Sequence, residues 1–187
     1  MCVAGNKQVE VRRLQSDDDC NPFCLNERED QALVTFLQND AKKLHEQMVT
    51  KTHVVADGKK ILAYVSVTCT EISLKNEEGK AVKKVTKLAP VLKELEYRVR
   101  CLPGVRLARL ASDKNHRGKN YRYGDKLIKL VTRLAHDISE ECGCRFILLD
   151  AVKDKINYYK EHGFELINTD ANLAKNYPTM FLDLENK

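Results

Sequence analysis

Residues 104–138 read GVRLARLASDKNHRGKNYRYGDKLIKLVTRLAHDI, and the rest of the chain is best understood outward from this stretch. Val105, Leu107 and the run Ala108 to Ala111, interrupted by Arg109, predict a strand. A polar, basic loop follows through Arg117, Gly118, Lys119, Asn120, Tyr121, Arg122, Tyr123 and Gly124. Leu127, Val131, Leu134 and Ile138 then recur at helical spacing and predict a helix after the loop. A strand, a glycine-bearing loop and a helix together make an anion site. The loop's backbone N–H groups and the first helical turn converge on one spot, and the helix dipole adds partial positive charge there. Arg117, Lys119 and Arg122 add full charges, so a phosphate-bearing ligand is expected at this turn.

The composition sets bounds on everything else. With 187 residues, 43% of them hydrophobic and 32% charged, one globular domain spanning 1–187 is expected. No apolar run approaches the roughly 20 residues that a membrane helix needs. Residues 1–15 lack the apolar core of a signal peptide, which predicts a cytoplasmic protein without a membrane partner. The seven cysteines are odd in number and form no C-x-x-C pair, so reduced thiols are expected and a catalytic cysteine is not. No cluster has metal-ligand spacing, so no metal is expected. A net charge of +5 does not by itself argue for nucleic acid.

Outside the opening stretch, residues 1–7 read as frayed and Val9, Val11 and Leu14 as a first strand. Leu33, Leu37, Ala41, Leu44 and Met48 predict a long helix over about 27–48, with Phe36 and Met48 as ordinary core. Asp57-Gly58 between two β-branched runs predicts a hairpin whose second strand, Ile61 to Ile72, is central. Val82, Val85, Leu88 and Leu92 suggest two helical turns interrupted by Pro90, and Leu102-Pro103-Gly104 is expected to break the chain. RFILLDAV (145–152) reads as a buried strand, Asp154 to Glu161 as a short helix, FELIN (164–168) as a strand, 169–178 as a loop and Thr179 to Leu184 as the last strand. This mixture predicts a single α/β domain.

Two motifs carry a resemblance. Leu-Ala-Arg-Leu-Ala-Ser-Asp (107–113), Arg-Gly-Lys (117–119) and Gly-Asp-Lys-Leu-Ile (124–128) resemble the cofactor motif of the GNAT superfamily of N-acetyltransferases, Arg/Gln-x-x-Gly-x-Gly/Ala. Here the loop is two residues longer, and Asn120-Tyr121-Arg122 replaces the middle glycine. Later, Tyr159-Lys160-Glu161-His162-Gly163-Phe164 matches the family's Tyr-x-x-x-Gly-Phe pattern. The order of elements along nearly the whole chain is similar to bacterial members, including the toxin-like branch, some of whose members acetylate the amino group of aminoacyl-tRNA.

The resemblance implies a mixed, mostly antiparallel central sheet flanked by helices on both faces. It implies an acetyl-CoA-dependent acyltransferase moving acetyl directly to an amine in a ternary complex. The cofactor-binding set would be Leu110, Ala111, Ser112, Arg117, Gly118, Lys119, Asn120, Arg122, Tyr123, Gly124 and Asp125. The segment Leu110–Ser112 would supply a backbone N–H for the charge that develops on the thioester oxygen. Tyr159 would be the general acid that protonates the departing thiolate, with Tyr158 as second choice. The partners implied are acetyl-CoA and an amine acceptor; aminoacyl-tRNA, a homodimer and a non-catalytic acetyl-CoA-binding module stay open. No general base stands out: Asp113, Glu94 and Glu96 read as surface charges, the five histidines as solvent-exposed, and Asp150 as a cleft or cap residue. His116, beside the loop, is also placed to contact phosphate.

Overall fold

The computed structural model describes residues 9–26, 31–73, 101–118, 120–167 and 170–185. Readings of 1–7, of the helical turns at 82–92, and of Glu94, Glu96 and Lys119 lie outside these residues. Seven strands hydrogen-bond in the order β1-β2-β3-β4-β5-β7-β6. They are β1 (Val9–Arg13), β2 (Lys51–Asp57), β3 (Lys60–Ser73), β4 (Cys101–Ser112), β5 (Phe146–Asp150), β6 (Glu165–Leu166) and β7 (Thr179–Asp183). The helices are α1 (Gln31–Thr35), α2 (Ala41–Glu46), α3 (Tyr123–Cys142), α4 (Ile156–Glu161) and α5 (Asp170–Leu173). Strands β4 and β5 are parallel, whereas β1–β2, β2–β3, β5–β7 and β6–β7 are antiparallel. The sheet is therefore mixed and mostly antiparallel, as the resemblance implies.

By contact density the chain divides into two compact units, Met1–Thr68 with Leu107–Val131, and Cys69–Arg106 with Thr132–Lys187. In the first, the β2–β3 hairpin closes through Gly58, whose φ of +61° is the left-handed conformation its turn requires. Its core joins Phe23, Phe36, Leu37, Val54, Ile61, Tyr64 and Ala111. The segment after β1 is tied down by Asp18, whose buried carboxylate accepts two hydrogen bonds from the Arg12 guanidinium at 2.7 and 2.6 Å. In the second unit, four of the five residues of β5 are buried, as a continuous apolar run demands. Phe146, Leu148 and Phe181 form its apolar cluster, with Ile72, Leu102 and Ile167 against it.

Several boundaries differ from expectation, each for a physical reason. Strand β4 runs straight through Pro103 and Gly104, where a break was expected. Gly104 pairs with Phe146, and a Cβ there would lie 2.7 Å from the Phe146 carbonyl oxygen. The glycine marks a close backbone approach within the sheet, not a turn. The expected helix over 27–48 is described from Gln31 and contains a π-helical stretch, Phe36–Asp40, before α2. Phe36 is core, as expected, but Met48 is 78% exposed with φ +60°, because the helix has already ended at Glu46. Residues 169–178 include a helical turn, α5, and the strand expected over 164–168 is only two residues long.

Candidate functional site

The loop that follows β4 begins with a buried carboxylate. Asp113 is 1% exposed, and its N–H donates to the Leu62 carbonyl at 2.8 Å. Its side chain accepts from the backbone N–H groups of Cys24 and Asn115, at 3.1 and 3.0 Å, and from Nδ1 of His116 at 3.0 Å. Burial alone would push this carboxyl up. The hydrogen bonds from Cys24, Asn115 and His116 outweigh it and hold the group below the usual carboxylate value. Asp113 is therefore neither a surface charge nor a free base but the cap of a short 3-10 turn, Lys114–His116. The Asp-x-x-His spacing at the end of an apolar strand was the available signal.

The turn beyond it is the one the sequence reads as an anion cradle. Gly118 has φ +95°, and a Cβ built there would meet nothing within 4 Å, so the backbone faces open space. The Gly118 carbonyl accepts from the N–H groups of Tyr121 and Arg122, both at 3.2 Å, and curls the chain into α3. Helix α3 starts at Tyr123, so Tyr123 and Gly124 are its first two residues rather than loop. Their N–H groups and that of Asp125 belong to the first turn, where a helix has no internal acceptors for its donors. Arg122 has φ +47°, rare for a residue with a side chain, and its Nε donates to Asp125 at 2.6 Å. Arg117 is exposed, and its Nε donates to the Ser112 carbonyl at 2.8 Å. Asn120 is exposed, whereas Tyr123 is buried, with Lys126 5.4 Å from its ring centroid. On β4, Ala111 is buried and Leu110 and Ser112 are half-buried.

Tyr159 lies on α4, in the second unit. Its ring meets Phe164 at 5.9 Å and Tyr158 at 5.4 Å, and burial pushes its phenol up to about 12. Tyr158 in turn lies 4.7 Å from the His162 ring, whose Nδ1 sits 2.8 Å from the Tyr158 carbonyl oxygen. A carbonyl only accepts, so Nδ1 carries the proton. Asp150, left open by the sequence, pairs with Arg106 and accepts from the Thr179 hydroxyl at 2.7 Å. The histidines are not uniformly exposed. His53 is 8% exposed on β2, Nδ1 of His45 accepts from the Thr52 N–H at 3.0 Å, and His116 is held by Asp113. Among the described residues, no group of three or more His, Cys, Asp or Glu side chains is disposed to hold a metal, and no helix is long and apolar enough to cross a membrane.

No family profile and no curated protein matches the sequence. Solved structures do match. AtaT complexed with acetyl-methionyl-tRNAfMet superposes with a TM-score of 0.75 at 17% identity, covering 95% of this chain and 96% of that one. A Tyr-to-Phe mutant of KacT gives 0.72 at 19% identity, with 95% and 96% covered. A Tyr-to-Phe mutant of the AtaT toxin, bound to the C-terminus of the antitoxin AtaR and acetyl-CoA, gives 0.70 at 16%, with 95% and 94% covered. This is the GNAT fold. At these identities the likeness is one of architecture. The residues on the turn after β4 are this chain's own.

Proposed function

We propose that this chain is an acetyl-CoA-dependent N-acetyltransferase that moves the acetyl group directly to an amine. The observation that carries this reading is the turn at Gly118, open and left-handed, feeding the N-terminus of the 20-residue helix α3 on a GNAT fold. Such a turn presents backbone N–H groups and the positive end of a helix to an anion. In this reading Gly118, Lys119, Asn120 and the first-turn N–H groups of Tyr123, Gly124 and Asp125 cradle the pyrophosphate, and Arg117 and Arg122 add charge beside it. The Asp125 carboxylate serves Arg122, and its backbone serves the cofactor. We read residues 1–187 as one acetyltransferase domain, since every boundary between the compact units falls inside β3, β4 or α3.

The reaction balances without a metal or a covalent enzyme intermediate. The neutral amine nitrogen attacks the thioester carbon, and a C–N bond forms. The carbonyl oxygen, negative in the tetrahedral intermediate, takes a backbone N–H from Leu110–Ser112. The C–S bond then breaks, the sulfur takes the Tyr159 proton, and the amine's surplus proton leaves to water. An aminoacyl-tRNA has one specific observation behind it as acceptor: AtaT, alike over nearly its full length, is solved with acetyl-methionyl-tRNAfMet.

Calorimetry with acetyl-CoA tests the cofactor site. Wild-type protein binds, and Gly118→Val, still folded, binds at least about tenfold more weakly, because a β-branched residue at positive φ is strained and screens the backbone. Unchanged affinity would put the cofactor elsewhere. Binding without turnover across small amines, peptides and aminoacyl-tRNA would favour a non-catalytic acetyl-CoA module.

A further inference from the structure

Arg109 sits where an arginine is costly. Side chains alternate along a strand, so Leu107, Arg109 and Ala111 share one face of β4. Leu107 and Ala111 are buried, at 4% and 7% exposure, and Ala111 belongs to the apolar core that also holds Phe36 and Tyr64. A guanidinium is thus placed on the core-facing side of a central strand. It lies over the Phe36 ring, 3.8 Å from its centroid. Phe36 is itself fixed: it stacks on Tyr64 at 6.1 Å, and the Tyr64 hydroxyl donates to the Leu33 carbonyl at 2.8 Å.

A cation on an aromatic face recovers part of its desolvation cost and leaves its edge donors unused. Among the described residues, no carboxylate lies within salt-bridge distance of Arg109 and no acceptor takes a hydrogen bond from it. Phe36 also opens the π-helical stretch Phe36–Asp40, in which the Ala41 N–H reaches back five residues to the Phe36 carbonyl. Single π turns inside helices concentrate at functional positions.

We propose that Arg109 binds an oxyanion carried by the acceptor, so that the enzyme selects amines with a carboxylate or phosphate group near the nucleophilic nitrogen. This rests on the acetyltransferase reading, in which the next residues of the strand, Leu110–Ser112, hold the thioester carbonyl. A planar, permanently charged fork held flat on Phe36 meets a carboxylate or phosphate in two parallel hydrogen bonds.

The test compares three acceptor sets with the same amino groups: unfractionated aminoacyl-tRNA, the free amino acids and the amino acid amides. Wild-type enzyme acetylates an anion-bearing set at lower KM than the amides. Which set it is, tRNA or free amino acid, identifies phosphate or carboxylate as the partner. Arg109→Met keeps the packing on Phe36 and raises that KM roughly ten- to hundredfold, the worth of a charge-assisted pair. Turnover, the KM for acetyl-CoA and the KM for the amides stay within about twofold, as they would not if the fold were damaged. Arg109→Lys recovers part of the loss. An unchanged acceptor KM in Arg109→Met, or an equal loss for the amides, overturns the proposal.

A second readout needs no turnover. The Nε–H resonance of Arg109, identified by its disappearance in Arg109→Lys, shifts and saturates as inorganic phosphate is titrated into wild-type protein. A resonance that does not respond overturns the proposal. Saturation by phosphate in a protein that acetylates no amine sinks the acetyltransferase reading and leaves the anion site standing.

Discussion

In the proposed reaction Tyr159 is the proton donor. Burial pushes its phenol up to about 12, so it is protonated throughout the neutral range, the state from which it can give a proton but not take one. Tyr159→Phe keeps the ring against Phe164, so thermal stability and acetyl-CoA affinity hold, while turnover at saturating acetyl-CoA falls by about 10². Tyr158→Phe, which keeps its ring beside His162, is the control and runs at the wild-type rate. Equal rates for both variants would reduce the motif to packing. His53 gives a second expectation at this scale. Burial lowers its pKa from 6.5 to about 4, and its Nδ1 is buried without a partner. The unfolded chain therefore takes up a proton between those values while the folded chain does not. Stability is fully present above pH 6.5 and is lost as pH falls toward 4, by about 3 kcal/mol in all. Denaturant melts of wild type and His53→Leu at pH 7 and pH 4.5 check it: the variant loses less on acidification. Parallel losses would remove His53 as the cause.

At the scale of elements, the turn after β4 depends on one side chain. Asp113 links that turn to Cys24, 89 residues earlier in the chain, through a backbone hydrogen bond to its carboxylate. Asp113→Ala leaves the N–H groups of Cys24 and Asn115 without their acceptor and costs about 3 kcal/mol. Chemical denaturation measures the cost; a loss below about 0.5 kcal/mol would mean that water replaces the carboxylate fully. The acid dependence has a definite sign. The folded-state pKa lies below the usual 3.8, so this stabilisation is complete above that value and disappears as pH falls through the lower folded-state value. The variant lacks that acid limb. The opening stretch was legible as strand, loop and helix because each part announces itself locally, by apolar period or by glycine. That Tyr123 and Gly124 already belong to α3 was not legible. The helix boundary is set by Arg122, which adopts a left-handed φ and pairs with Asp125 three residues on.

Across the whole molecule, the cysteines offer a simple probe of the packing. All six described cysteines are free. Cys69 and Cys142 are exposed, whereas Cys20 and Cys144 are buried, and burial pushes both of their thiols up. An aromatic disulfide reagent is expected to label Cys69 and Cys142 in the native protein and to reach Cys20 and Cys144 only in denaturant. In the proposed direct transfer no thiol takes part, so acetyl transfer should survive the native labelling. Native labelling of Cys20 or Cys144 would contradict the core, and loss of activity would reopen a role for cysteine.

The sequence by itself determined what depends on neighbours in the chain. The Asp57-Gly58 hairpin, the apolar run of β5 and the strand–turn–helix around Gly118 all rest on period and turn chemistry, which a few consecutive residues carry. Only the tertiary structure decided the environments of single side chains. Gly104 looked like a break and is a close contact with Phe146. Asp113 and His53 looked exposed and are buried. Arg109 looked like an interruption in a strand and lies over Phe36. In each case the deciding partner comes from a distant part of the chain. Local pattern states which face a side chain takes, and only long-range packing states what it meets there.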